Sequence, residues 1–362
     1  MHKDEHWYFF AFSLFIIYSS GIFSFFIVII MFSFYQSPIW RHIQEEVYKK
    51  PIFDVTLWNT TYWWIMKQMA ILWQTKRRSM IHGVRPISLD KVDSDFQRDL
   101  LAWKRDHWKH DLFLQIWCDL PIVSRQTKQD KIPDRLDQSL AFVQRDLLTW
   151  YDLRPTTREH MPHATIVLET VWTIDEWKSA CSDSGKRMIN KWQKAWLTFL
   201  IATHEKEWIA YRKVWYATAY DKWFSIIPQE QFLALMHYLT ESNQWWLFVA
   251  KKWADIVSGS VCVQFGEQMI YLYGATDRAY WDIGAHYWLT MHIRARARDH
   301  HFLTFDLLGI SPPGSDEKHH LYWVTRFKQS FWWKTIVYAW SYDLVCSQRW
   351  YQAFKAWRKV RG

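Results

Sequence analysis

Two short stretches bring metal-type donors together: His107, His110 and Asp111, and His300, His301 and Asp306. A zinc or iron centre repeats its ligands at defined spacings, as in His-Glu-x-x-His, and neither stretch does so. Solvated helix faces account for both, so no metal is expected. The four cysteines, Cys118, Cys181, Cys262 and Cys346, stand far apart with no Cys-x-x-Cys pair. That spacing argues against a structural zinc site or a disulfide framework, and suits reduced, buried thiols in a cytosolic chain. No G-x-G-x-x-G, Walker A or Gly-x-Ser-x-Gly run is written in the sequence. The phosphate cradles and the nucleophile elbow that those patterns encode are therefore not the source of its chemistry.

What remains is basic. Lys76-Arg77-Arg78, Arg294/Arg296/Arg298 and the tail from Lys355 to Arg361 are local clusters, and 45 Lys+Arg against 36 Asp+Glu give a net charge of +9. This balance suits a polyanion such as tRNA, a nucleotide-linked substrate or an anionic membrane surface. Each cluster taken singly reads equally well as a solvated face.

The elements that would position such groups alternate between short β-branched or aromatic runs and amphipathic stretches, which predicts an α/β or α+β layering. Strands are expected over 55–57, 66–72, 112–116, 165–168, 247–250, 261–265, 270–273 and 303–307. Helices are expected over 93–107, 138–148, 174–194, 228–240 and 285–300. The polar, Pro-containing stretch 154–162 is the candidate linker. A faint repeat places strand, turn, strand, turn and Gly83 around Trp58, and the same order ending in Gly274 around Trp253.

From Trp7 to Tyr35 no residue is charged, a length sufficient to cross a bilayer core of about 30 Å as a helix. The leader is a poor signal peptide, having no net positive charge and no small-residue cleavage site. Arg41, Lys49 and Lys50 follow the segment, which would place the main body in the cytoplasm. Translation from an upstream start is the competing explanation, with Met31 as the true start.

The 362 residues hold 28 Trp and only 10 Gly, where ordinary usage would give roughly 25 Gly. A soluble core cannot absorb that many indoles, each burying about 150–250 Å² and needing a partner for its N–H. Several fall where glycine is preferred: the doublets Trp63-Trp64, Trp245-Trp246 and Trp332-Trp333 at expected strand ends, and Trp196 and Trp223 at expected helix ends. One reading is that UGA encodes glycine in this gene and has been translated as Trp; the alternative is a genuinely Trp-rich protein. Trp40, Trp103, Trp177, Trp350 and Trp357 sit in contexts that suit a true indole.

With Trp323, Trp332, Trp333 and Trp340 taken as Gly, the C-terminal third carries a recognisable pattern. It contains Tyr271-Leu272-Tyr273-Gly274-Ala275, then Ala285-His286-Tyr287, then Phe305-Asp306-Leu307-Leu308-Gly309-Ile310. Val324-Thr325-Arg326-Phe327-Lys328, Phe331-Trp332-Trp333 and Tyr342-Asp343-Leu344 follow. Phe34-Tyr35-Gln36-Ser37-Pro38-Ile39-Trp40, Leu114-Gln115-Ile116 through Asp119, and Lys186-Arg187-Met188-Ile189-Asn190-Lys191 agree with it. Together these resemble the Fem family, the aminoacyl-tRNA-dependent transferases that build peptidoglycan interpeptide bridges. The resemblance spans residues 34–362, and Arg326-Phe327-Lys328 is its most specific part.

The resemblance implies two tandem acyl-CoA N-acyltransferase-type (GNAT-like) α/β domains without a coiled-coil arm. The first would span 34–162, with 335–362 returning to it, and the second 163–334; residues 1–33 form the apolar segment. The implied reaction moves an amino acid from aminoacyl-tRNA to an amine of a UDP-linked or lipid-linked muropeptide. Aminoacyl-tRNA is then a co-substrate and no resident cofactor is expected. Lys328 would stabilise the oxyanion, Phe327 would wall the site against water, and Arg326 would grip a phosphate or carboxylate. Lys186, Arg187 and Lys191 would meet the acceptor's charges, and Tyr273 would stack or hydrogen-bond. Asp119 and Asp306 would orient the amine or accept its proton. The expected setting is cytoplasmic, with peripheral contact at the inner membrane face. Two alternatives stay open: a GNAT-like N-acyltransferase acting on another envelope amine, and a non-enzymatic, membrane-associated binding scaffold.

Overall fold

The computed structural model describes residues 38–50, 52–57, 60–69, 78–83, 94–107, 111–117, 121–125, 153–156, 164–192, 195–221, 226–312, 314–331, 334–338 and 341–361. The apolar segment 1–33, the expected helix 138–148, Trp58, Asp119, Trp223 and the Trp332-Trp333 doublet lie outside the described residues. Among the described residues, no helix is long and apolar enough to cross a membrane.

In chain order the first part comprises α1 (Pro38–His42), which runs on into a wider helical turn Ile43–Val47, then β1 (Ile52–Leu57), β2 (Thr60–Met69), β3 (Arg78–Gly83), α2 (Ser94–His107), β4 (Asp111–Trp117), β5 (Pro121–Arg125) and β6 (Leu153–Pro155). The second part opens with β7 (Ala164–Glu169), α3 (Ile174–Ala180), α4 (Asp183–Trp192), β8 (Leu197–Ile201), α5 (Glu205–Asp221) and α6 (Gln229–Ser242). It continues with β9 (Trp245–Lys252), β10 (Asp255–Phe265), β11 (Gln268–Thr276), α7 (Ala285–Asp299), β12 (Thr304–Gly309) and α8 (Tyr322–Lys328). The chain closes with β13 (Lys334–Tyr338), β14 (Ser341–Val345) and α9 (Gln348–Arg361).

The faint repeat has a structural counterpart. β1-β2-β3 is an antiparallel meander followed by α2 and a β4 that lies parallel to β3. β9-β10-β11, α7 and β12 repeat that order, with β12 parallel to β11. Residues 253–254 make the two-residue link between β9 and β10. The sheets, ordered β1-β2-β3-β4-β14-β6 and β5-β13-β7-β12-β11-β10-β9-β8, exchange strands. β4 pairs with β14 in the first sheet and β5 with β13 in the second, so two antiparallel chain segments cross together from one sheet to the other. Strand 153–155 shows that the expected linker begins inside the first sheet.

The second sheet is apolar on both faces, as a strand covered by helices on each side must be. Leu247, Val249, Val261 and Val263 face a cluster with Trp208, Tyr211, Phe232, Leu235 and Leu239 of α5 and α6, which Ile43 and Val47 from the N-terminal helical turn complete. Phe248, Ala250 and Cys262 face Trp177, Ile189, Trp288, Leu289 and Ile293 of α3, α4 and α7. The single helix expected over 174–194 is two helices. Thr173 and Glu176 close a capping box at the start of α3, and the Ser182 hydroxyl accepts the Gly185 N–H to start α4 (3.1 Å). Gly185 also lies against the Ser330 carbonyl oxygen, which a Cβ would approach to 2.5 Å. Trp63-Trp64 falls within β2 rather than at its end, because that strand begins at Thr60.

Trp196 and Trp253 have φ of 53° and 59°, and the two residues are 86% and 85% exposed. The left-handed region costs a non-glycine residue roughly 1–2 kcal/mol, and these indoles recover almost nothing by burial. Trp196→Gly and Trp253→Gly are each expected to raise stability by about 1 kcal/mol, after allowing for glycine's greater freedom in the unfolded chain. Trp281→Gly, at a right-handed φ of −65° and with its indole N–H donating to the Thr276 carbonyl (3.2 Å), should lower it. Urea unfolding midpoints of the three variants check this.

Candidate active site at the parting of two parallel strands

β11 and β12 pair only at Gln268–Thr304, Met269–Phe305 and Ile270–Asp306, although β11 runs on to Thr276 and β12 to Gly309. Beyond those pairs the strands part, and the Gly309 carbonyl of β12, on that side, has no β11 partner. A buried carbonyl left so must find another donor. Lys328, at the end of α8, supplies it: its Nζ donates to the carbonyls of Leu308 (3.0 Å) and Gly309 (2.7 Å).

The turn that presents these carbonyls is strained. Leu308 has φ of 54°, a conformation that persists only where the surroundings over-determine it. They do so here from both sides. The Asp306 carboxylate accepts the Leu308 N–H (2.7 Å) and the Thr165 hydroxyl of β7, while Lys328 holds the Leu308 carbonyl. Asp306 and Lys328, both singled out from the sequence, therefore grip one residue.

Lys328 is only 5% exposed, and burial lowers its pKa to about 7, with the Asp306 charge opposing the fall. As an ammonium it has a third N–H beyond the two engaged with carbonyls. As a neutral amine it keeps those two bonds and has a lone pair instead. One side chain can thus switch between donor and base near neutral pH without leaving its place.

Phe327 packs against His286 (5.1 Å between ring centroids), Tyr287 (4.9 Å) and Phe331 (5.2 Å), closing one side of the lysine. Arg326 is exposed, with its charge close to Tyr287. Lys186 is half-buried and Arg187 and Lys191 are exposed along α4. The start of that helix abuts the segment following Lys328: the Ser182 N–H and hydroxyl donate to the Ser330 carbonyl at 3.0 and 3.1 Å. The basic helix and the lysine are therefore neighbours through Ser330.

Tyr273 is placed elsewhere. A β-bulge opposite Val261 and Cys262 interrupts the alternation of β11. Leu272 and Tyr273 consequently turn toward α5 and α6, where Tyr273 bonds the Tyr48 hydroxyl (2.9 Å) and packs on Trp215. Tyr271 faces α7 and the lysine instead, its ring centroid 5.8 Å from Lys328 Nζ. Its hydroxyl occupies the space over Gly274, where a Cβ would come within 1.4 Å of it.

Sequence reasoning also passed over His286 and Ser258. His286 bridges Tyr271 (Nε2–O 2.9 Å) and Ser258 (Nδ1–O 2.7 Å), and burial, reinforced by the Lys328 charge, depresses its pKa to about 4. A histidine opening a helix carries no spacing signal by itself. The Arg294/Arg296/Arg298 cluster is not one patch. Arg294 is buried, donating to the carbonyls of Glu169 (2.8 Å) and Trp172 (3.0 Å) with its guanidinium over Trp177, whereas Arg296 is exposed and Arg298 pairs with Asp299.

The depressed Lys328 pKa has a thermodynamic sign. Between about 7 and the ordinary lysine value of 10.5, the unfolded chain holds a proton that the folded one does not. Stability should therefore rise with pH through that window. Urea titrations at pH 7, 8 and 9 are expected to show the rise in the wild type and its loss in Lys328→Met.

The sequence pattern of the Acetyltransferase (GNAT) domain family matches residues 194–321. No curated protein sequence matches the chain. Among solved structures, FemX superposes with a TM-score of 0.62 at 14% identity, covering 89% of this chain and 94% of that one. L-PGS from Bacillus licheniformis gives 0.46 at 9% identity (87% and 93%), and a tandem GNAT protein from the clavulanic acid biosynthesis pathway gives 0.42 at 6% (82% and 83%). The chain is thus a mixed α/β protein of tandem GNAT-like units with a FemX-like fold, and no coiled-coil arm occurs among the described residues.

Proposed function

We propose that this chain transfers an amino acid from aminoacyl-tRNA to an amine of a UDP-linked or lipid-linked muropeptide, forming a peptidoglycan bridge. The observation that carries the reading is Lys328: a buried lysine with pKa near 7, held by two main-chain carbonyls where β11 and β12 part. It belongs to the Arg326-Phe327-Lys328 motif, next to a GNAT-type domain. In the reaction, the acceptor nitrogen bonds to the ester carbonyl carbon, the bond from that carbon to the ribose oxygen breaks, and the amine proton ends on the released hydroxyl. An aminoacyl ester is already activated, so alignment and oxyanion stabilisation are the main requirements. The third N–H of the Lys328 ammonium is the donor for that oxyanion. Arg326 and the α4 cations Lys186, Arg187 and Lys191 offer charge complementary to tRNA and to the diphosphate of the acceptor. The reaction needs no resident cofactor. The proposed setting is the cytoplasm, at or near the inner face of the membrane.

The GNAT match favours one competitor, acyl transfer from acyl-CoA to another envelope amine. Purified protein given charged tRNA and UDP-muropeptide should form the aminoacylated muropeptide, detected by mass spectrometry. Ribonuclease should abolish the product, and Lys328→Ala should lower the rate about 10²- to 10³-fold, as when an oxyanion donor is removed. Product formation from acyl-CoA alone would select the competitor.

The glycine reading bears on this site, because Trp332-Trp333 follows Lys328 closely. It is supported by the left-handed, exposed backbones at Trp196 and Trp253. Protein from the native source is expected to give a 331–334 peptide whose mass corresponds to Gly-Gly at 332–333. A Trp-Trp mass would end the recoding and raise the scaffold alternative.

A further inference from the structure

We propose that Thr325 is a positioning residue for Lys328, fixing the height of α8 along β12 through the main-chain N–H of Ser311; its part in turnover rests on the transfer reading above. Ile310 donates its N–H to the Ala164 carbonyl of β7 (3.0 Å). Successive N–H groups of an extended chain point to opposite sides, so that of Ser311 turns away from β7. On that side β11 has already parted, its last pair being Ile270–Asp306. A side chain of α8 stands there instead, and the Ser311 N–H donates to Thr325 Oγ1 (2.7 Å). The Gly309 carbonyl is taken by Lys328 Nζ, also at 2.7 Å. The helix thus offers the segment after Leu308 one acceptor and one donor, in place of a longer β11. Thr325 and Lys328 are three residues apart and share one face of α8. Both are buried, at 6% and 5% exposure.

Two kinds of contact hold α8, and they fix different things. Phe327 packs on His286, Tyr287 and Phe331. Apolar packing is non-directional, so it sets how deep the helix lies more than how far along β12 it stands. A hydrogen bond weakens steeply as its length and angle change, which makes the Ser311–Thr325 bond the contact that sets height. The Thr325 side chain is itself held. Its hydroxyl lies 2.8 Å from the Leu321 carbonyl one turn back, and β-branching leaves it few rotamers in a helix. The Ser311 hydroxyl lies 2.9 Å from the same oxygen.

Ser311 is 5% exposed, so loss of Thr325 Oγ1 would strip its N–H of that acceptor inside the protein. Relief requires α8 to shift or water to enter. Either response moves Lys328 Nζ against the Leu308 and Gly309 carbonyls, and with it the direction of the third N–H that meets the oxyanion.

Four substitutions separate this role from simple support of the fold. Thr325→Val and Thr325→Ala remove the acceptor, Thr325→Ser keeps it, and Ser311→Ala keeps the N–H. Given a mixed pool of charged tRNA and UDP-muropeptide, the Val and Ala variants should lose about 10- to 100-fold in kcat, the scale of a small misplacement. KM should stay unchanged. Thr325→Ser and Ser311→Ala should stay close to the wild type.

The lysine is also titrated directly, by NMR of protein carrying ¹³Cε-lysine, with its resonance identified by its absence in Lys328→Met. The groups facing it are Asp306 of β12, Tyr271 of β11 and His286 of α7, and all remain in the 325 variants. Its midpoint, about 7 in the wild type, should rise in Thr325→Val and Thr325→Ala as water reaches the amine, and return in Thr325→Ser. A midpoint unmoved in either folded variant, or a Thr325→Ser variant as impaired as Thr325→Val, overturns the proposal. Amide exchange in the wild type needs no variant: the Ser311 N–H should be as protected as that of Ile310, and fast exchange also overturns it. If the wild type transfers nothing from charged tRNA, the transfer reading fails by itself. The lysine midpoint then still decides whether Thr325 positions Lys328.

Discussion

A sheet that opens between two parallel strands must satisfy the polar groups it unpairs, and at the end of β12 a single lysine serves the carbonyls. Lys328 Nζ takes the carbonyls of Leu308 and Gly309 just past the last β11–β12 pair. Without a donor there, the buried Gly309 carbonyl would carry a penalty of about 1–3 kcal/mol. The same lysine pays a desolvation cost, visible in its lowered pKa. The arrangement is tolerable because the neutral amine keeps both bonds, and the proposed transfer chemistry uses the further N–H that the charged form adds in the same place. Structure and proposed chemistry draw on one property of one side chain.

The rest of the unit reads as support for that contact. Asp306 and Thr165 fix the left-handed Leu308 from the β7 side. α8 brings Lys328 in from outside the sheet, and Phe327 seats that helix against His286, Tyr287 and Phe331. Phe331 in turn stacks on Trp177 at 5.1 Å, and Arg294 covers that indole while tying α7 to the loop before α3. Strand exchange extends the support beyond the unit. β13, which follows α8 after a short link, is clamped between β7 and β5, and β5 comes from the first part of the chain. The lysine's helix is therefore anchored downstream by both halves of the molecule.

Much of this was legible in the sequence, and the failures share a cause. The β11–α7–β12 order, the Lys328 motif and Asp306 could be read because they rest on short runs of residues whose types are informative singly. The resemblance points to Tyr273 rather than Tyr271, and the one-residue bulge that turns Tyr273 toward the other face reverses parity without changing composition. The break at Ser182 was missed for a similar reason. The apolar period continues across 174–194, while the interruption depends on a side-chain cap and on the close approach of Gly185 to Ser330, a residue distant in sequence. Periodicity reports which side of an element is buried. It is blind to hydrogen bonds that stop or kink the element.

The tryptophans differ among themselves in backbone conformation and burial. Leu197 of β8 pairs with Lys252 of β9. Trp196 and Trp253, one step beyond, therefore stand next to each other at the same end of the sheet. Both are left-handed and both project into solvent. Two adjacent strained positions, each costing roughly 1–2 kcal/mol for a side chain with a Cβ, would be a heavy loss in a fold whose net stability is of order 5–15 kcal/mol. Trp177 and Trp208 behave differently: each is almost wholly buried in helical, right-handed backbone, one under Arg294 and the other donating its N–H to the Ala202 carbonyl. The two groups differ in conformation, burial and partners at once. Glycine at 196 and 253 removes the strain and the exposed apolar pair together, and leaves the buried indoles their packing.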